Sequence, residues 1–212
     1  MRTETLIDGL EADARRSPRR SLLPWPAVVL LVVGAAALAL FSAMGLRPDL
    51  GEAMTTLRFA LKFVLTGLTA FVALMVVRDL RHPGSSGKRW LPWLVLPAGL
   101  LAAAVVGELV VVPRGLWETR LVGSNSLVCL VAVPAIGTVP LAILLWAVRK
   151  GATTRPLLAG ASCGLAAAAV AGFFYAAHCI DDSPLFVAVW YPLAASMLVI
   201  AGALLGLRVL RW

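Results

Sequence analysis

Between two long apolar runs the chain carries His178-Cys179-Ile180-Asp181-Asp182-Ser183-Pro184, which puts an imidazole, a thiol and two carboxylates within five residues. Thiolate and imidazole are the usual ligands of zinc-like metals, carboxylates add to such sets, and a thiol is the side chain most readily oxidised. The stretch therefore has the chemistry to answer a metal ion or an oxidant. The same residues also carry a plainer reading. Asp-Asp-Ser-Pro is a helix-start signal, with a capping side chain followed by proline in the first turn, and a single cysteine in a short turn is often inert.

What positions this stretch is a set of membrane spans. Of 212 residues, 60% are hydrophobic and 14% charged, and the apolar residues come in runs of about twenty, outside the range of soluble domains. Six such segments fall at roughly 25–45, 57–77, 90–112, 127–148, 156–178 and 185–207. Each is long enough to cross about 30 Å of hydrocarbon at about 1.5 Å per residue. The expected fold is all-α, a polytopic bundle of six transmembrane helices (25–212) preceded by a short segment, 1–24. The apolar run from Trp25 starts too late and continues too long for a cleavable signal.

The basic residues set the orientation. The net charge of +8 would fit nucleic acid only if the basic residues clustered on a soluble face with aromatics between them. Here they flank the apolar runs. Fourteen of the nineteen lie on one side, in the N-terminal segment, the 78–89 and 149–155 loops and the C-terminal end; Arg47, Arg58, Lys62, Arg114 and Arg120 lie toward the other. Both termini are therefore expected in the cytoplasm and the His178–Asp182 turn outside.

Three cysteines without a Cys-x-x-Cys pair exclude a disulfide scaffold and a zinc ribbon. Cys129, early in the fourth span, and Cys179, at the end of the fifth, should share a depth. Cys163 sits about 24 Å from Cys179 along one helix. If two cysteines bond or share a metal ion, they are Cys129 and Cys179, with His178, Asp181 and Asp182 as further ligands or thiol tuners.

Other polar and aromatic residues follow from the same layout. Lys62 and Glu108 fall at matching depth in neighbouring spans, which predicts an intramembrane ion pair or two side chains that reach the interface separately. Gly160 with Gly164, and Gly202 with Gly206, predict close helix packing. Trp90, Trp93, Trp117, Trp190 and Tyr191 are expected in interfacial aromatic belts. In the N-terminal segment, Leu6, Ile7 and Leu10 fall on one helical face with Glu4, Asp8, Glu11 and Asp13 around it. The segment is too short to be stable alone, so it is either a frayed tail or a stripe that docks on a partner protein.

Thr-Glu-Thr-Leu-Ile-Asp at 3–8, Leu61-Lys62-Phe63, Arg155-Pro156 with Gly160, the run from His178 to Tyr191, and Leu210-Arg211-Trp212 together resemble the NrsF family, six-helix anti-sigma factors of the bacterial inner membrane. The resemblance implies that the N-terminal segment, through Leu6, Ile7, Asp8 and Leu10, holds an extracytoplasmic-function sigma factor. It further implies that outer-side cysteines at the positions of Cys129 and Cys179 take part in sensing envelope stress. The partners it implies are that sigma factor and the lipid bilayer, with no direct nucleic acid, no small-molecule substrate and no cofactor beyond a transient metal ion. Against a thiol oxidoreductase the chain has no Cys-x-x-Cys pair, and against a transporter its spans hold few ionisable groups and no obvious broken helix pair. A scaffolding membrane subunit is compatible with the glycine-rich packing faces.

Overall fold

The computed structural model describes residues 23–210 together with Thr3 and Ile7. Leu6, Asp8 and Leu10 of the expected partner-binding stripe lie outside the described residues, and Ile7 is exposed. The elements in chain order are α1 (Trp25–Ala43), the short α2 (Leu50–Ala53), α3 (Leu57–Leu80), α4 (Val95–Val111), the short α5 (Trp117–Val122), α6 (Ser126–Arg149), α7 (Pro156–Tyr175) and α8 (Pro184–Val209). Single 3-10 turns, Leu91–Leu94 and Arg114–Leu116, lead into α4 and α5. Among the described residues there are no strands, and six helices are long and apolar enough to cross a membrane.

Local chemistry sets the helix ends. Thr56 caps α3 by accepting the Phe59 N–H, and Ser183 caps α8 by accepting the Leu185 N–H, with Pro184 as the first helical residue. The helix-start reading of Asp-Asp-Ser-Pro thus holds for its last two residues. It does not hold for Asp181 and Asp182, whose carboxylates are engaged elsewhere. The fifth long helix also ends at Tyr175, three residues before His178, so the whole His178–Asp182 stretch is loop.

α7 is the most enclosed helix and packs on α8, α3, α6 and α1, whereas α4 stands at the edge with little of its surface covered. The reason lies in side-chain size. Between helices in lipid there is no water to expel, so association depends on close packing, and small residues allow it. α7 is built largely of Ala and Gly, and at its crossing with α8 the backbones of Gly160 and Gly164 meet those of Gly202 and Leu198 so closely that a Cβ on either α7 glycine would overlap a carbonyl oxygen.

At the end of the bundle opposite Cys179, Arg81 lies just past α3 and is 4% exposed. Its Nη2 donates to the Leu23 carbonyl at 3.1 Å, and its guanidinium stacks over the Trp25 ring. Its own carbonyl accepts from the Ala152 N–H at 3.2 Å. One residue therefore ties the foot of α3 to the start of α1 and to the α6–α7 loop. Burial lowers the pKa of this guanidinium, though an arginine stays charged under all ordinary conditions.

Gly164→Val should therefore destabilise the bundle by about 3 kcal/mol or more through forced separation of α7 and α8. Gly34→Ala, at a helical position where a Cβ meets nothing, should be neutral or stabilising by up to about 1 kcal/mol. Thermal unfolding of the two variants in the same detergent tests the contrast.

Candidate functional site: the Cys179 loop and its buried cations

Two basic side chains from different parts of the chain converge on the loop between α7 and α8. Lys62, one turn into α3, is 1% exposed. Its Nζ donates to the Cys179 carbonyl at 2.8 Å and to the Asp181 carbonyl at 3.3 Å, and forms an ion pair with the Asp182 carboxylate. Arg47, in the connection after α1, is 6% exposed. Its Nη1 donates to the same Cys179 carbonyl at 3.2 Å and to both Asp182 oxygens at 3.0 and 2.9 Å. The other edge of its guanidinium makes a two-pronged contact with Asp49, at 2.7 Å on each prong. The backbone N–H of Arg47 also donates to the Ala177 carbonyl.

The charges answer one another. A cation this deeply placed persists only with a counter-charge and satisfied donors, and here two cations share Asp182, with Asp49 as a second anion. Hydrogen bonding to Asp49, ahead of the effect of Asp182, raises the pKa of the Arg47 guanidinium, while the same contact holds the Asp49 carboxyl below the usual carboxylate range.

Asp181 has a separate task. Its carboxylate accepts the backbone N–H of Ser124 at 3.0 Å and of Asn125 at 2.8 Å, immediately before α6, and also lies within reach of the Ser124 hydroxyl. It caps the amino end of α6 from a distant part of the chain, where free N–H groups and the helix dipole favour an anion. Gly123 makes the approach possible. It adopts φ +61°, and a Cβ there would overlap Asp181 and Phe186. The Trp190 indole N–H fixes the same neighbourhood by donating to the Leu121 carbonyl at 2.7 Å.

His178 and the thiols complete the loop. His178 Nδ1 lies 3.1 Å from the Gly45 carbonyl, which can only accept, so the ring proton sits on Nδ1. Cys129 and Cys179 are both free thiols with no exposed surface and belong to the same buried cluster. The Cys179 thiol points back to the Asp181 carbonyl at 3.8 Å. Burial, the larger effect, pushes its pKa up, and nearby Lys62 pulls it down in part. Cys163 is buried elsewhere along α7. Among the described residues no three His, Cys, Asp or Glu side chains are grouped to hold a metal ion. The resting loop does not fit a resident metal: His178 is turned to Gly45, Asp181 to α6 and Asp182 to the two cations.

The expected Lys62–Glu108 ion pair is not formed. Lys62 faces the loop after α7 and takes Asp182, while Glu108, 4% exposed, pairs with Arg120 of α5 at 2.7 Å and with Arg58 of α3 at 3.6 Å. The α3 residue that reaches Glu108 is Arg58, one turn nearer the helix start than Lys62, and α5 supplied a cation that no apolar span announces. Tyr191 likewise departs from the interfacial belt: it is 8% exposed, inside the bundle. Arg47 and the Ser124–Asn125 backbone were not foreseen as site groups. The one available signal for Arg47 was its position directly after a span, on the side that carries few basic residues.

Residues 10–212 match a family described as "NrsF: Negative regulator of sigma F". The chain belongs to the NrsF family. It is 36% identical over the whole of both chains to the "Anti-sigma-F factor NrsF" of Caulobacter vibrioides, and 29% identical, again over both whole chains, to the "Probable anti-sigma-F factor NrsF" of Azospira oryzae. No solved structure matches the chain. The NrsF match takes in the Cys179 loop and both of the helix ends that hold it.

Two outcomes are expected from this geometry. Lys62→Met should destabilise the protein by about 3 kcal/mol, because it leaves Asp182 to Arg47 alone, and Lys62→Met with Asp182→Leu should recover part of that loss in denaturant titrations. Cys179, a neutral and buried thiol at pH 7, should react slowly with N-ethylmaleimide and faster as pH rises. Asp182→Ala should accelerate labelling at pH 7 about tenfold or more by opening the loop, as mapped by peptide mass spectrometry.

Proposed function

We propose that this NrsF-family chain is a membrane-bound anti-sigma factor that sequesters an extracytoplasmic-function sigma factor at the cytoplasmic face of the bacterial inner membrane. It releases that partner when a periplasmic metal ion or oxidant acts on Cys129 and Cys179. The regulatory class is supported by two full-length relatives whose names are those of anti-sigma factors. The distribution of basic residues supports an orientation with both termini inside, and with it a periplasmic Cys179 loop. The role is regulatory rather than catalytic.

The observation that carries the mechanism is that α3 ends in a cation at both extremities. Lys62 holds the Cys179 loop, and Arg81, nineteen residues or about 28 Å along the axis, holds the Leu23 carbonyl where the N-terminal segment joins α1. A stimulus that joins the two thiols, by oxidation to a disulfide or by a shared metal ion, needs Cys179 to leave its buried position. The Cys179 carbonyl then withdraws from Lys62 and Arg47, and Asp181 withdraws from the amino end of α6. α3 and α6 lose their anchors at that end, and the shift reaches Leu23 through Arg81. The sigma factor is held by the Leu6, Ile7 and Leu10 stripe, with Asp8 facing basic sigma surface. Conversion from mostly held to mostly released takes about 5.5 kcal/mol of differential stabilisation, within reach of a disulfide or a two-thiolate metal complex.

The test is a pull-down of the full-length protein from native membranes, with mass spectrometry of bound soluble proteins. A small sigma factor should be recovered from unstressed cells and lost on deletion of residues 1–14 or with Leu6→Ala plus Leu10→Ala. Recovery unaffected by both changes would remove the N-terminal stripe from the mechanism. Absence of any sigma factor would remove the anti-sigma reading itself.

A further inference from the structure

Apart from the Cys179 loop, the molecule has a second polar group inside its apolar body, at the seam between α3 and α4. Arg58, one turn before Lys62, and Arg120 of α5 both contact the buried Glu108 carboxylate. Two guanidiniums against one carboxylate leave an excess of one positive charge. Both guanidiniums also keep open surface: the side chains of Arg58 and Arg120 are 45% and 33% exposed, whereas Glu108 is 2% exposed. Each retains N–H donors that Glu108 does not use, at the level where a membrane interface lies.

Directly inward of this group the bundle is not closed. A cavity of about 320 Å³ lies between α4 and the helices it faces, with Leu65, Thr66 and Thr69 on the α3 side, Pro97, Ala98 and Leu101 on the α4 side, and residues of α6, α7 and α8 completing the lining. Helical spacing puts Arg58, Leu65 and Thr69 on one stripe of α3, and Glu108, Leu101 and Pro97 on one stripe of α4. Seven residues separate Arg58 from Leu65 and Glu108 from Leu101, so the cavity begins about 10 Å deeper than the charged group on both walls. Two of the three hydroxyls on the wall are spent on their own helix: Thr66 donates to the Lys62 carbonyl at 2.7 Å and Thr69 to the Leu65 carbonyl at 2.8 Å, while the Tyr191 hydroxyl is buried without a partner.

We propose that this seam is a phospholipid-binding site, with the lipid phosphate on Arg58 and Arg120 and one acyl chain in the cavity between α3 and α4. The charge excess selects an anion and the fork geometry of arginine suits a phosphate. The apolar interior, with the Thr66 and Thr69 hydroxyls spent on their own helix, suits a hydrocarbon chain. The bound lipid adds packing to α4, the least covered of the long helices, which otherwise rests on α3 and α8 and on the Glu108 ion pairs at one end. The site does not depend on the anti-sigma reading and involves none of the groups that hold the Cys179 loop.

The test uses the full-length protein in liposomes doped with phosphatidylglycerol carrying a photoactivatable diazirine on its acyl chain. A parallel set carries the same diazirine on a free fatty acid. Wild-type adducts should concentrate on the peptides that contain Leu65–Thr69 and Leu94–Leu101. Ala98→Trp, which fills the cavity, should abolish those adducts with both probes, whereas Leu204→Trp, on the exposed face of α8, should change neither. Arg58→Gln should reduce the phosphatidylglycerol adducts about tenfold and leave the fatty-acid adducts unchanged. Circular dichroism of each variant separates lost binding from lost folding. Adducts spread evenly over the exposed helix faces, or unaffected by Ala98→Trp in a folded variant, would overturn the site. Equal loss of both probes with Arg58→Gln would overturn the phosphate contact.

Discussion

A lysine ammonium held at 1% exposure among apolar helices has to be neutralised, and the groups that neutralise Lys62 come from more than a hundred residues further along the chain. That demand ties the first half of the fold to the second. Asp182 supplies the charge, the Cys179 and Asp181 carbonyls supply acceptors, and Arg47 joins the same carboxylate from the connection after α1. The α7–α8 loop is therefore fixed by charge as well as by the burial of Cys179 in the apolar cluster. Loops fixed in this way are strong while every partner is present and weak once one is displaced, because each remaining charge is then left in a medium of low dielectric. This property is what a switch requires.

The two neighbouring carboxylates show how finely the loop divides its work. Asp182 turns inward to the cations, and Asp181 turns across to the amino end of α6. One loop thereby secures the ends of α3 and α6 as well as the start of α8, which Ser183 caps for itself. His178, bonded through Nδ1 to Gly45, adds the end of α1. The Cys179 carbonyl, which Lys62 and Arg47 share, belongs to the same loop.

The rest of the bundle is organised by size. Where α7 meets α8 the glycines bring backbones into contact and the packing is as close as peptide geometry allows. Where α3 meets α4 the side chains do not fill the space and a cavity remains. In a bilayer both arrangements are stable, because lipid can occupy what protein leaves open and an interface of small residues can exclude it. The contrast makes α7 and α8 the fixed part of the molecule and α4 its most separable helix.

Hydropathy and charge asymmetry alone determined the number of long helices, their approximate limits, the expected topology and the grouping of Cys129 and Cys179 at one end, because these depend on properties summed along single segments. The His178–Asp182 stretch stood out for the same reason, its composition being unlike that of the runs around it. Pairing depended on rise and rotation together. Arg58 and Lys62 stand one turn apart on α3, about 6 Å in rise and about 40° in rotation, and that difference gives Lys62 to the Cys179 loop and Arg58 to Glu108. Similarly, nothing local in Asp181-Asp182 separates a carboxylate that caps its own helix from one that caps another. Such choices rest on which helix faces which, a relation between segments far apart in the chain, and only the tertiary structure decided them.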